Sequence, residues 1–206
     1  MPDPSASSSG SFSDGSLVDD VHQIKGLALA SVQTHVVETF GQAEWDALMK
    51  LLPPRTSGMF EDIDTGDWYP ETEMRRVVHA LYQHLCQDDD ERFLALMRGV
   101  ALAGINRFFG MILTITTARF VLRNIPALWR RVRRGPAVLH TEVGSDGRVL
   151  VHYSDYRYCR DRIYRLVSLA NCQAAAYAAT KKLPQAEVAK WDRYTMTLAF
   201  TLNENE

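Results

Sequence analysis

The chain has 206 residues, 46% hydrophobic and 23% charged, with a formal net charge of -2. That length suits one domain with a single large core, or one domain with a tail, and the near-neutral charge excludes a dedicated nucleic-acid binder. Cys86, Cys159 and Cys172 form no Cys-x-x-Cys pair and leave an odd thiol, so the natural compartment is a reducing cytoplasm.

Residues 1–16 are rich in Ser, Gly, Pro and Asp, with neither the basic nor the apolar stretch of a signal peptide. Such a composition buries too little apolar surface to offset its ordering entropy, so a disordered tail is predicted there, followed by a single domain over 17–206. Ser16 to about Ile24 reads as a short helix, capped by Ser16 with Asp19 three residues on. Lys25 to Phe40 reads as an amphipathic helix, with Leu29, Val32, Val36 and Phe40 on one face and Gly41 ending it. A second helix carries Trp45, Leu48, Leu51 and Leu52 and stops at Pro53-Pro54. An exposed apolar face on these first helices would favour a homodimer.

Arg55 to Tyr69 has no period and reads as a loop with at most one turn of helix. Asp62, Asp64 and Asp67 there suggest a calcium loop or, more simply, a solvated acidic loop, since the calcium spacing and its closing glutamate are missing. Pro70 is placed at the first position of the next helix, which runs to about Cys86. Asp88 to Asp90 cap a further helix, apolar nearly all round and therefore central, with a break or kink at Gly110. Phe108 to Leu122 is the most apolar window, but Arg119 interrupts it and it is too short to span a bilayer. Another helix spans about Met111 to Val132, kinked or split at Pro126.

After Gly135-Pro136 the period changes from helical to alternating. Ala137 to Val143 and Val149 to Tyr153 read as a hairpin turning at Gly144-Ser145-Asp146-Gly147. A long helix covers about Cys159 to Lys181. Ala186 to Trp191 and Tyr194 to Leu202 are the last strands. The fold class is α+β: a helical N-terminal two-thirds, then a β-β-α-β-β four-stranded antiparallel sheet.

Two stretches carry chemistry. Trp129, on the helix Asn124 to Val132, reads either as a packed core tryptophan or as the wall of a pocket. Tyr153, Asp155 and Arg157 alternate and would share one face of a strand. They form either an Asp155–Arg157 structural pair or an anion site with Arg157 and Tyr153 as donors. Arg119, Arg123, Arg130, Arg131, Arg133 and Arg134 read as a solvated basic face or, alternatively, as a contact for an acidic partner or nucleic acid. The three cysteines read as inert, although Cys159 lies beside Arg157 and Arg160, where a lowered thiol pKa is conceivable. No Gly-x-Ser-x-Gly or other catalytic constellation occurs, so no enzyme and no catalytic residue is expected.

The element order and several stretches resemble the haem-dependent nitric-oxide/oxygen-binding (H-NOX) domain family over roughly residues 25–202. They are Gly26-Leu27, Phe40-Gly41, Glu44-Trp45, Tyr69-Pro70, Asn124 to Val132, and Tyr153 with Asp155 and Arg157. The resemblance implies a gas-sensing fold whose haem is ligated by a histidine and held at its propionates by a Tyr-x-Ser-x-Arg motif. Here the histidine position is Trp129 and the serine position is Asp155. An indole cannot coordinate iron, and a carboxylate repels a propionate. The chain is also similar to a family of roughly 200-residue paralogous bacterial proteins known mainly from myxobacteria, whose function is unassigned.

These readings converge on a non-enzymatic sensory or regulatory module without haem, metal or membrane span. It would act through a signalling protein partner or a small-ligand pocket formed by Trp129, Tyr153, Asp155 and Arg157. The alternatives are a haem sensor with a non-standard axial ligand and a ligand-free protein-interaction scaffold.

Overall fold

A computed structural model describes residues 21–113 and 117–202, with side chains described at all of these except 106–113. The tail expected up to residue 16 lies outside this range.

Helix α1 (Gly26–Phe40) forms where Leu29, Val32 and Val36 repeat at helical spacing and become buried. Gly41 ends it with a φ of +93°, a conformation that favours glycine. Helix α2 (Gln42–Lys50) buries Trp45 and Leu48, and α3 (Pro54–Gly58) is a single turn after Pro53. Helix α4 (Glu71–Ala80) continues into a π-helical turn over Leu81–Leu85. The central helix α5 (Asp90–Leu113) lies against α1 so closely that a Cβ on Gly99 would come within 2.0 Å of His35 Nε2. Helices α6 (Ala118–Arg123) and α7 (Ile125–Val132) separate at Asn124, with Pro126 in the first turn of α7. Helix α8 (Arg162–Thr180) is buried on nearly every face among α4, α5, α6 and the last sheet.

The larger sheet has the order β4-β5-β7-β6 and is antiparallel throughout: β4 (Val138–Val143), β5 (Val149–Ser154), β6 (Gln185–Trp191) and β7 (Met196–Thr201). Its inner face follows from alternation, with Val149, Val151 and Tyr153 opposite Phe200, Leu198 and Met196, all buried. The expected α+β class and four-stranded antiparallel sheet are the observed ones. A second, three-stranded sheet is new: β1 (Gln23–Lys25) sits between β2 (Trp68–Pro70) and β3 (Arg133–Arg134).

Local expectations need correction. Ile24 lies in β1 rather than in a helix, because Gln23–Lys25 finds two strand partners. Pro70 ends β2 and precedes the first residue of α4 instead of occupying it. Helix α5 runs through Gly110 to Leu113, so residues 111–113 belong to it; an interior glycine costs only about 1 kcal/mol relative to alanine. Helix α8 begins at Arg162, not near Cys159, because Asp161 caps it with Oδ1 accepting from Ile163 N at 3.0 Å and Tyr164 N at 3.3 Å. On the first helices the apolar face is covered, and the exposed large apolar residue nearby is Leu51, just beyond α2. Among the described residues no helix is long and apolar enough to cross a membrane.

Candidate functional site

The site starts from α7. Ile125 and Trp129, four apart, turn inward while Arg130 and Arg131 remain exposed. The Trp129 indole meets Tyr153 edge-on at 5.3 Å and Tyr156 edge-on at 5.1 Å, and the Arg133 guanidinium carbon lies 4.3 Å from its ring centroid. Trp129 is thus both a packed core residue, 8% exposed, and part of a cavity wall.

That cavity has a volume of about 170 Å³. Apolar side chains from α1, α4, α5, α7 and α8 line most of it, including Val32, Met74, Val78, Met97, Leu128 and Val167. Among the described residues, the polar ones in the lining are Ser31, Arg133, Tyr153, Tyr164, Asn171 and Cys172.

Behind the Trp129 wall lies a buried charge pair. Glu71 opens α4 directly after Pro70, where the helix N-terminus favours a carboxylate, and it is fully buried. Its Oε1 accepts from Arg133 Nε at 2.8 Å and from the Tyr156 hydroxyl at 2.8 Å. The Tyr164 hydroxyl donates to the Glu71 carbonyl at 3.4 Å. Burial opposes the charge on Arg133, but Glu71 outweighs it, so the guanidinium stays protonated. Burial, above all, pushes the Tyr153, Tyr156 and Tyr164 phenols well above their ordinary range. All three therefore act as neutral hydroxyls.

The four residues singled out from sequence are not brought together. Trp129 and Tyr153 are in contact and line the cavity. Asp155 and Arg157 are exposed and do not appear in the lining. The alternation expected through them fails because Asp155 takes a left-handed turn, φ +55°, and Arg157 begins a short 3-10 turn, Arg157–Arg160.

The basic stretch also divides. Arg119, Arg123, Arg130 and Arg131 are exposed, but Arg133 turns inward to Glu71 and Arg134 lies 4.0 Å from the Trp68 ring centroid. Burial raises the Cys86, Cys159 and Cys172 thiols to about 11, 12 and 11. Cys159 is therefore shifted opposite to the lowered value its arginine neighbours suggested, because burial and then Asp192 outweigh Arg165. The acidic loop is held by its own backbone: Asp64 Oδ1 accepts from Gly66 N at 2.7 Å and Asp67 Oδ1 from Trp68 N at 2.8 Å. Among the described residues no cluster of ligating side chains could hold a metal ion.

Sequence reasoning missed Glu71, Arg133, Tyr156 and Tyr164. No periodic signal marked them: Arg133 leaves α7 in an extended conformation for the two-residue strand β3 and sits within a run of arginines.

No family model and no curated protein matches the chain, so the likeness to the myxobacterial family rests on sequence stretches alone. Solved structures do match. An H-NOX protein from S. oneidensis in an Fe(II)NO state is 13% identical, with 87% of this chain and 100% of that one covered at a TM-score of 0.65. The H-NOX domain from Shewanella oneidensis in an Fe(II)CO state is 13% identical, covering 88% of this chain and 99% of that one at 0.65. An unliganded Fe(II) H-NOX protein variant from K. algicida is 15% identical, covering 88% of this chain and 98% of that one at 0.61. With most of both chains superposed in each comparison, the chain has the H-NOX fold.

Proposed function

We propose that the chain is a non-enzymatic sensory or regulatory module, a haem-free relative of the gas-sensing H-NOX domains. The observation that carries this reading is Trp129. It forms the cavity wall in the segment that resembles the family's ligand-bearing helix, and an indole offers iron no lone pair. The other donors support the same conclusion. Among the described lining residues there is no imidazole. The Tyr153 and Tyr164 phenols and the Cys172 thiol are held protonated, chiefly by burial. Met74 and Met97 offer thioethers, which serve haem iron beside a histidine. Arg133 is already paired with Glu71 and is a poor partner for a propionate. The residues present therefore fit haem badly.

In this reading Trp129 and Tyr153 face the cavity contents, and occupancy is read out by a signalling protein partner or a second copy of the chain. Asp155 and Arg157 lie outside the cavity, at exposed positions. A haemin titration tests the cofactor half of the proposal. Wild-type protein should give no saturable one-to-one Soret band, whereas tight stoichiometric uptake would favour the second reading, a haem sensor with a non-standard ligand. The matched haem-protein structures are what keep that second reading in view.

A further inference from the structure

We infer that the cavity beside Trp129 binds a small, mostly apolar, uncharged molecule carrying one hydrogen-bond acceptor that docks on Arg133. The inference rests on the haem-free reading and names the class of ligand that would take the place of haem.

Size comes first. The cavity's volume of about 170 Å³ is close to the roughly 150 Å³ of an apolar cavity that stays dry and takes up benzene. A single-ring molecule with a short substituent is therefore the scale. Much of the wall is aliphatic side chain and the Trp129 ring, so the body of the ligand must be apolar.

The polar wall decides the rest. Tyr153 and Tyr164 already use their hydroxyls, on Cys172 Sγ at 3.6 Å and on the Glu71 carbonyl at 3.4 Å. Arg133 is different. Its side chain is 9% exposed and its Nε donates to Glu71 Oε1, but its two Nη groups have no hydrogen-bond partner among the described residues. A nearly buried guanidinium with unused donors, in the wall of a mostly apolar cavity that also carries the Asn171 amide, selects a ligand that can accept a hydrogen bond.

Charge then selects against anions. Glu71 already balances Arg133, and Glu71 Oε2 is itself buried without a hydrogen-bond partner among the described residues. A carboxylate ligand would add an uncompensated negative charge beside the buried Glu71 carboxylate. A ketone or ester carbonyl meets the Nη donors without that cost.

The test uses three probes matched in size: acetophenone, cumene and benzoate. Each is titrated calorimetrically into wild-type protein whose visible spectrum has been recorded. The expected order places acetophenone about tenfold or more tighter than cumene, as one hydrogen bond to a charged donor implies, with benzoate weakest. Acetophenone should show nuclear Overhauser contacts to the Met74 and Met97 methyl groups, and Ala101→Phe, whose ring would fill the cavity, should abolish its binding. Equal affinity for acetophenone and cumene overturns the role of Arg133. Benzoate binding tightest overturns the charge argument. Absence of methyl contacts, or unchanged binding in a folded Ala101→Phe variant, overturns the location, and the wild-type ranking and methyl contacts decide the matter if that variant fails to fold. Haem-loaded protein that ignores all three probes contradicts the haem-free reading, whereas haem-free protein that ignores them overturns the ligand inference alone.

Discussion

Glu71 and Arg133 stand 62 positions apart and meet at 2.8 Å, with the carboxylate fully buried and the guanidinium nearly so. The pair ties the start of α4 to the strand that follows α7. It also fixes the guanidinium 4.3 Å from the centre of the Trp129 ring, so one interaction positions two walls of the cavity.

Breaking this pair from one side should be worse than removing it whole. Arg133→Met leaves a buried carboxylate without its cation and should cost about 3–5 kcal/mol. Glu71→Gln should cost a similar amount. The double variant should be less destabilised than the sum of the two, and urea unfolding of all four proteins measures that coupling. Strict additivity would show that the two side chains do not interact.

Trp129→Ala should destabilise the fold by about 3–5 kcal/mol, since it removes a buried ring that packs edge-on against Tyr153 and Tyr156. A change below about 1 kcal/mol would mean that the indole is not in the core.

Acid should weaken the domain through Asp161. Burial pushes its carboxyl pKa up, but hydrogen bonds from His79 at 2.8 Å and Arg75 at 2.5 Å outweigh burial and hold it well below the usual range. A carboxyl depressed in the folded state contributes stability that is fully present above its unfolded value of about 3.9 and is lost as pH falls below it. Thermal unfolding should therefore show wild-type stability dropping more steeply than that of Asp161→Asn below about pH 4. Asn still caps the helix but carries no charge to titrate. Parallel acid profiles for the two proteins would remove Asp161 from the account.

Cys86, Cys159 and Cys172 should resist alkylation near neutral pH, since all three are buried and their thiols are raised to about 11, 12 and 11. Mass spectrometry after iodoacetamide treatment should find them labelled only when denaturant is added. Rapid labelling of Cys159 in the folded protein would show that its arginine neighbours govern it after all.

The long periodic elements were legible in the sequence, because Leu29, Val32 and Val36, or Met196, Leu198 and Phe200, repeat at a spacing only one secondary structure can bury. The three-stranded sheet was not, since strands of two or three residues are too short to show a period. Trp129 was identifiable from its helix. Arg133 was hidden within a run of arginines, and only packing reveals that one of them faces Glu71 across 62 positions. The grouping of Tyr153 with Asp155 and Arg157 failed because a left-handed turn at Asp155 and a 3-10 turn from Arg157 stand where alternation predicted a continuing strand.

The most direct measurement of the central claim is the visible spectrum of the protein purified from cells supplied with a haem precursor, backed by a pyridine haemochrome assay. The account predicts no Soret band and haem far below one equivalent, because Trp129 stands where the resemblance places a ligating histidine. A Soret band with one haem per chain would contradict it and require another residue as the ligand.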